Sequence, residues 1–269
     1  MKRIALYLIL ALAAFIFLYP FLWMVSASLS SENGIHELRF LPVDFTFDHY
    51  VALYQSIPII KALFNSLFVA GLVTLGVLVF GSMTGYALAK HRFRGRNLIF
   101  FLIIFTMTLP FQITLIPNYI LMVEFQWVNT FAALIIPAIM NAFAIILFRQ
   151  HFMSIPNDLI DAARMDGCHE LRILFQIIWP NSVPTIITVA IITFMTSWND
   201  VLWPIIVIRD EQLMTLPQLV TLFTVGGRSM AQIGVKLASA TFLALPILIA
   251  YIIFQKYFIQ SMASTGLKE

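Results

Sequence analysis

Long stretches without a charged residue constrain this chain more than any other feature of its sequence. No charged side chain occurs between Arg3 and Glu32, or between Lys61 and Lys90. A helix needs about 20 apolar residues to cross the hydrocarbon core of a bilayer, and both stretches exceed that length. The chain is 61% hydrophobic and 11% charged, whereas about a quarter of the residues of a soluble domain are charged. We therefore expect an all-α integral membrane protein.

Six transmembrane helices are expected from these stretches. They cover about residues 4–28, 62–89, 97–122, 130–148, 181–203 and 236–254. The expected domain organisation begins with a first helix in 1–30 and an external loop in 31–61. A five-helix core follows in 62–258 and includes a cytoplasmic loop at 153–181. Residues 259–269 are expected to form a cytoplasmic tail. Residues 209–235 are expected to form a second large external loop, and Phe47–Tyr54 a short helix at the membrane interface.

Proline and glycine mark two special places within the spans. Pro110 lies inside the third span and removes a helix hydrogen bond, so we expect a kink or a break there. Gly81 and Gly85 form a G-x-x-x-G pair, a spacing that lets a second helix approach closely. Glycine is also frequent in membrane helices, so chance remains an alternative explanation for this pair.

The distribution of basic residues predicts which side of the membrane each loop occupies. Cytoplasmic loops carry an excess of Lys and Arg. With the amino terminus inside, eleven of the 16 basic residues face the cytoplasm. They are Lys2, Arg3, Lys90, Arg92, Arg94, Arg96, Arg149, Arg164, Arg172, Lys256 and Lys268. We therefore expect both termini in the cytoplasm, together with the polar loop after the fourth span.

This polar loop, residues 158–184, carries signals for a short helix followed by a turn. Pro156 and Asp158 suit a helix start, because proline fits the first turn and an acidic side chain favours its positive end. Gly167 predicts the stop, since glycine adopts the left-handed conformation at little cost. A second helical segment is expected from about His169 to Trp179.

The loop resembles the conserved loop motif of ABC-importer membrane subunits, in which Glu-Ala-Ala and three further residues precede a glycine. The matching residues here are Asp161, Ala162, Ala163, Asp166, Gly167, Trp179, Pro180 and Pro184. Asp161 replaces the usual Glu and Trp179 replaces a Leu. In that family the loop forms a cytoplasmic helix that docks on the ATPase, so the resemblance assigns a coupling role to Asp161, Ala162, Ala163, Asp166, Gly167 and Pro180.

The resemblance also implies a fold, a mechanism and a set of partners. The fold is that of a type I ABC importer permease, working by alternating access in a cell (inner) membrane. The expected partners are a second permease subunit, two ATP-binding cassette subunits and an extracytoplasmic solute-binding protein. ATP and Mg would be bound by the ATPase subunits, so this chain needs no cofactor of its own. Nucleic acid is not an expected partner.

Residues near the end of the fifth span are similar to those of the carbohydrate branch of these importers. They are Trp198, Asn199 and Asp200, followed by Trp203-Pro204 and Thr215-Leu216-Pro217. The resemblance makes the first three candidates for the translocation path of a sugar. Trp and Asn suit sugars, but aromatic residues at a span end also anchor helices at the interface, and Asp200 fits either role. Another solute, such as a glycerol phosphate ester, remains an alternative.

Motifs for enzymatic chemistry and for ion coupling are missing from the sequence. No Gly-Lys dipeptide occurs, so the chain has no phosphate-binding loop and is not expected to be an ATPase or another enzyme. His169-Glu170 lacks the second histidine of a zinc protease, and we expect a solvated helix face there and no metal site. A stand-alone secondary carrier remains a second alternative, although it would need buried ionisable pairs that the spans do not offer.

Overall fold

Apolar helices form most of the chain in this computed structural model, which describes residues 2–35, 41–42, 44–225 and 232–266. Within these residues no β-strand occurs. The helices are α1 (Lys2–Ser28), α2 (Asp48–Ser56), α3 (Ile59–Lys90), α4 (Arg96–Thr108), α5 (Phe111–Glu124), α6 (Phe131–Ile139), α7 (Ala142–Ser154), α8 (Asn157–Met165), α9 (Glu170–Ile173), α10 (Val183–Trp198), α11 (Leu202–Val207), α12 (Leu216–Val225) and α13 (Ile233–Gly266). A π-helical turn, Leu174–Ile178, and a 3-10 turn, Pro180–Ser182, connect α9 to α10.

Several of these helices are long and apolar enough to cross a membrane. Among the described residues, four segments meet this condition: Leu6–Ser28, Ile59–Lys90, Phe131–Ser154 and Pro180–Trp198. Helices α4 and α5 meet the condition only as a pair, and since they bend by 104° relative to each other they form either one broken span or a re-entrant loop. Leu109 and Pro110 separate these two helices, so the expected break at Pro110 is confirmed. The all-α membrane class is confirmed, whereas the count of six remains a prediction that depends on α13, a helix of 34 residues.

The chain divides into two units, each with its own contacts. One unit comprises residues 64–215 and 251–269, and its hydrophobic core joins α3, α5, α6, α7, α8, α9, α10 and α11. The G-x-x-x-G pair of α3 faces α7 in this core. A Cβ atom built at Gly85 would lie 2.7 Å from the Phe148 Cβ, and one built at Gly81 would lie 3.5 Å from the Ala144 Cβ. The expected close approach of a second helix is therefore confirmed.

The other unit comprises residues 1–63 and 216–250 and centres on a buried histidine. The His49 Nε2 lies 2.9 Å from the Ser30 carbonyl oxygen, and a Cβ atom at Gly234 would overlap that ring nitrogen. Gly234 also donates its backbone N–H to the Glu32 carboxylate over 3.3 Å. Since any larger residue would collide with the imidazole, Gly234 lets α13 approach α2. The expected short helix at 47–54 is confirmed as α2.

Three expected boundaries are wrong. The segment 209–235 is not all loop, because it contains α12, which begins at Leu216-Pro217 and buries most of its side chains. The fifth span ends at Trp198 instead of Trp203, since residues 199–201 interrupt the helix before α11. The fourth span continues to Ser154. Parts of the two expected external loops, residues 36–40, 43 and 226–231, lie outside the described residues, and so does Lys268.

Candidate functional site

Helix α8 presents one face to the core of its unit and the other to the exterior. Ile160 and Ala163 are buried in the hydrophobic core, in keeping with their spacing of three along the helix. Met165, at the opposite face, is 88% exposed, and Leu159 is exposed as well. Pro156 precedes the helix and Asp158 lies in its first turn, as the sequence predicts. The helix therefore offers an outward surface of apolar and acidic side chains.

The end of α8 is closed by a Schellman motif centred on Gly167. The Gly167 N–H donates to the Arg164 carbonyl and the Cys168 N–H donates to the Ala163 carbonyl, each over 3.0 Å. This pattern requires a left-handed residue after the helix, and Gly167 has a φ angle of +79°. A Cβ atom at this position would meet nothing within 4 Å. The backbone conformation, and not a lack of space within the chain, therefore makes glycine the fitting residue.

Glu170 connects the loop to the end of α3. Its Oε1 accepts a hydrogen bond of 2.8 Å from the Arg164 Nε, and its Oε2 accepts one of 2.7 Å from the Tyr86 hydroxyl. The His91 Nε2 lies 3.3 Å from the same Oε2. The hydrogen bond from Arg164 holds the pKa of the Glu170 carboxyl below its usual value. The ionised carboxylate is therefore the form that joins α8, α9 and α3.

Lys90 provides a second connection between α3 and the loop. Its Nζ donates to the Ile155 carbonyl and, over 2.8 Å, to the Asn157 Oδ1. These two acceptors stand just before α8 and at its first residue. Since Glu170 follows the far end of the helix, α8 is held to the end of α3 at both of its ends. A displacement of α8 can therefore pass directly to the span Ile59–Lys90.

The structure places the predicted loop residues in different environments. The Asp161 Oδ1 accepts a hydrogen bond of 3.1 Å from the Arg164 Nη1, and the Asp161 side chain is 63% exposed. Ala162 and Asp166 are exposed, whereas Ala163 is buried. Pro180 begins the 3-10 turn that leads into α10. Asp161, Ala162 and Asp166 thus share the outer surface of the loop, while Ala163 and Pro180 help to shape it.

The sequence prediction missed Glu170. We expected a solvated helix face at His169-Glu170; the Glu170 side chain is 41% exposed, but its carboxylate is also bonded to Tyr86 and Arg164, which the sequence did not predict. Tyr86 and Glu170 are 84 positions apart, so no local spacing could reveal the pair. A tyrosine and a lysine in the last turn of a long apolar helix were the available signal.

A cavity of about 550 Å³ lies within residues 64–215, between α3, α5, α6, α10 and α11. Apolar walls come from residues such as Val69, Leu134 and Trp203. The polar side chains at its surface are Asn118, Asn141, Thr193, Thr196, Ser197, Asp200 and Thr215. Its size and mixed lining fit a small polar molecule with apolar faces.

The three residues predicted for the translocation path do not lie together. Asp200 lines the cavity. Trp198 is 1% exposed and stacks on Phe194, and the Asn199 amide donates to the Met195 carbonyl, so neither side chain contributes to the cavity surface. Phe111 and Trp203 are the aromatic residues in the cavity lining, and the Trp203 indole N–H donates to the Ala133 carbonyl over 2.8 Å. Among the described residues, no group of three potential metal ligands is present.

Comparison with known proteins supplies the family. The model of the "Binding-protein-dependent transport system inner membrane component" matches residues 77–264. The chain is 38% identical to the arabinooligosaccharides transport system permease protein AraQ of Halalkalibacterium halodurans, over 96% of this chain and 94% of that protein. It is 29% identical to the sn-glycerol-3-phosphate transport system permease protein UgpE of Shigella flexneri, over 78% of this chain and 75% of that one.

A solved structure agrees with the sequence matches. A chain of a bacterial ABC transporter involved in the import of the acidic polysaccharide alginate has a TM-score of 0.82 to this structure. The two chains are 28% identical, and the match covers 96% of each. The expected type I ABC importer permease fold is thereby confirmed. The family match, the relatives and the fold agree that this chain is a multi-pass membrane permease of the binding-protein-dependent transport system inner membrane component family.

Proposed function

We propose that the chain forms half of the translocation path of a sugar importer and couples it to separate ATPase subunits through α8. The observation that carries the coupling role is the attachment of α8 to α3 by Glu170 and Lys90. A force on the exposed face of α8 would reach a membrane span without passing through a flexible linker. Such coupling requires a contact that differs between two states of the ATPase.

The energy source has to lie outside this chain, because the sequence has no phosphate-binding loop. Two ATP-binding cassette subunits would bind ATP and Mg and press on α8 and on the equivalent loop of a second permease subunit. Asp158, Asp161 and Asp166 give the outer face of α8 an acidic character, while Met165 adds an apolar contact. A basic and partly apolar cleft on the ATPase would complement this surface.

Orientation supports the same arrangement. Eleven of the 16 basic residues belong to the side that includes the amino terminus and α8. Basic residues favour the cytoplasmic side, where ATP is available to the partner subunits. Both termini would then lie in the cytoplasm, and the loops on the other side would receive solute from an extracytoplasmic binding protein.

For the substrate, a sugar or oligosaccharide is supported by the cavity and by the relatives. Hydroxyl and amide side chains exchange hydrogen bonds with sugar hydroxyls, and Phe111 and Trp203 offer aromatic surface to C–H groups. The relative that transports arabinooligosaccharides is 38% identical to this chain. A second candidate substrate is a phosphate ester, because another relative, UgpE, is named for the transport of sn-glycerol 3-phosphate.

Uptake measurements in cells that lack this gene test the proposal. Complementation with the intact chain should restore uptake of a labelled arabino-oligosaccharide and the co-purification of an ATP-binding subunit. A chain with Met165→Asp, which adds a charge to the outer face of α8, should insert normally and lose the ATP-binding subunit. Uptake that persists without any ATP-binding subunit would instead indicate a stand-alone secondary carrier.

A further inference from the structure

The cavity between α3, α5, α6, α10 and α11 has an unbalanced charge. Among the described residues that line it, Asp200 is the sole ionisable side chain, and no lysine, arginine or histidine is present. Arg209, which follows α11 closely in sequence, is exposed and donates to the Tyr119 hydroxyl over 3.4 Å. An anion in the cavity would therefore meet a carboxylate and no compensating cation from this chain.

The Asp200 carboxylate also has a structural role at the start of α11, because it accepts hydrogen bonds from the backbone N–H groups of residues 201–203. The Asp200 Oδ1 lies 3.5 Å from the Trp203 backbone nitrogen, at the start of α11. Strong N–H···O bonds are about 2.7–3.2 Å long, so this helix-start contact is weak. Since an ionised carboxylate has about four acceptor positions, part of its capacity is left for an occupant of the cavity that it lines. Sugar hydroxyls are donors that could use it, whereas phosphate and carboxylate groups have only acceptors to offer once ionised.

Thr215 gives a second, independent sign that a hydroxyl-bearing molecule belongs in this cavity. Its side chain is 5% exposed, and its Oγ1 is buried without a hydrogen-bond partner in the described part of the chain. The same residue lines the cavity. A buried hydroxyl without a partner is unfavourable, so an occupant that exchanges a hydrogen bond with Thr215 would be stabilised.

From these observations we propose that Asp200 makes this chain's part of the path select uncharged polyhydroxy solutes and reject anionic ones. The substrate class is then a neutral sugar or oligosaccharide, and not an acidic sugar or a glycerol phosphate ester. This inference rests on the proposed function, because it assumes that solute passes through the cavity. For an anion about 6 Å from the carboxylate, at an effective dielectric constant of about 40, the occupancy would fall roughly ten-fold.

Charged thiol reagents measure the selectivity of the cavity without any transport. A Ser197→Cys substitution in a Cys168→Ser background places one thiol at the cavity surface. The rates of a cationic and an anionic methanethiosulfonate of similar size are compared in the purified complex, at neutral and at alkaline pH. We expect the cationic reagent to be favoured, and Asp200→Asn to reduce the ratio of the two rates roughly ten-fold or more.

Two control variants separate the charge of Asp200 from other effects. Asp200→Glu keeps the charge and should keep the rate ratio, even if it shifts the start of α11. Asp210→Asn removes an exposed carboxylate outside the cavity lining and should leave the ratio within about two-fold, because solvent screens exposed charges. If the ratio of the cationic to the anionic reagent rate is the same in the Asp200→Asn variant as in the protein with Asp200, the inference is overturned.

Transport by the reconstituted complex with its binding protein provides the second measurement. A neutral arabino-oligosaccharide should be carried, and labelled glycerol 3-phosphate should not. Carriage of glycerol 3-phosphate by the unaltered complex would refute the selectivity, whatever the thiol rates. If neither solute is carried while the thiol rates depend on Asp200 as expected, the cavity electrostatics stand and the proposed sugar transport fails.

Discussion

Replacing Gly167 by valine tests whether the turn after α8 matters through its backbone conformation. Gly167 has a φ angle of +79°, which costs a residue with a Cβ atom about 1–2 kcal/mol, and a β-branched side chain makes this conformation harder still. A cost of this size lowers the population of the closed Schellman turn by a factor of about 5–30. Because the turn directs the chain from α8 to Glu170, its loss would weaken the attachment of α8.

We expect Gly167→Val to abolish uptake and to weaken association with the ATP-binding subunits, while the chain still inserts and pairs with its partner permease. The measurements are co-purification of the complex and uptake in vesicles. Gly167→Asn serves as the matched variant, because asparagine tolerates the left-handed conformation better than valine at a comparable size. It should retain most of the ATPase association that valine loses.

Gly95 offers a control for backbone strain elsewhere. It has a φ angle of +86°, and a Cβ atom there would also meet nothing within 4 Å. Gly95→Val therefore imposes a similar strain before α4, outside the segment 157–167, and should leave ATPase association intact. Normal uptake and association in Gly167→Val would refute the docking role of this loop. Equal failure of the asparagine and valine variants would show that side-chain bulk at the ATPase contact decides, and not the φ angle.

Three further predictions follow from the same geometry. Glu170→Gln should lower ATP-dependent uptake more than it lowers ATPase association, because it weakens the charge-assisted bond from Arg164 while α8 remains exposed for docking. Equal losses of uptake and of association would contradict this prediction. Asp161→Ala should cost under about 1 kcal/mol of ATPase binding and Asp161→Glu almost nothing, since the side chain is largely exposed; a complete loss in a pull-down with Asp161→Glu would be inconsistent with that. In a Cys168→Ser background, an impermeant maleimide should label Ser56→Cys but not Met165→Cys in intact cells, and the reverse pattern would invert the orientation.

Much of the fold could be predicted because its signals are local. Charge-free length predicts a span, Pro110 predicts the break between α4 and α5, and Gly167 predicts the left-handed turn. Helix α12 was missed because the segment 209–235 was interpreted by its polar residues. Pro217 at the second position of that helix is nevertheless a common helix-start residue. The early end of α10 was missed because the interruption at 199–201 contains no proline or glycine.

The candidate site could be predicted in part, and the missing part depends on contacts between distant residues. The outer face of α8 follows from a short motif, since every residue of that face belongs to one helix. Tyr86, one partner of Glu170, lies near the end of α3, and the packing of Phe148 against Gly85 helps to bring α7, and with it the loop, close to Tyr86. Similarly, the cavity collects its polar residues from α5, from α10 and from the connecting residues Asn141, Asp200 and Thr215, which are far apart in the sequence.

If α8 docks on an ATPase as proposed, the strength of its attachment to α3 determines how much of the ATPase movement reaches the membrane. A ligand or partner shifts a conformational equilibrium only by the difference between its interactions with the two states. If α8 could pivot freely, ATPase closure would be absorbed within the loop, and the spans would keep their equilibrium. Glu170 and Lys90 prevent such a pivot at opposite ends of the helix, and the buried Ile160 and Ala163 fix its rotation. In the proposed mechanism, the contacts that transmit the movement are thus within this chain, and the contact with the ATPase would only have to be firm enough to hold α8.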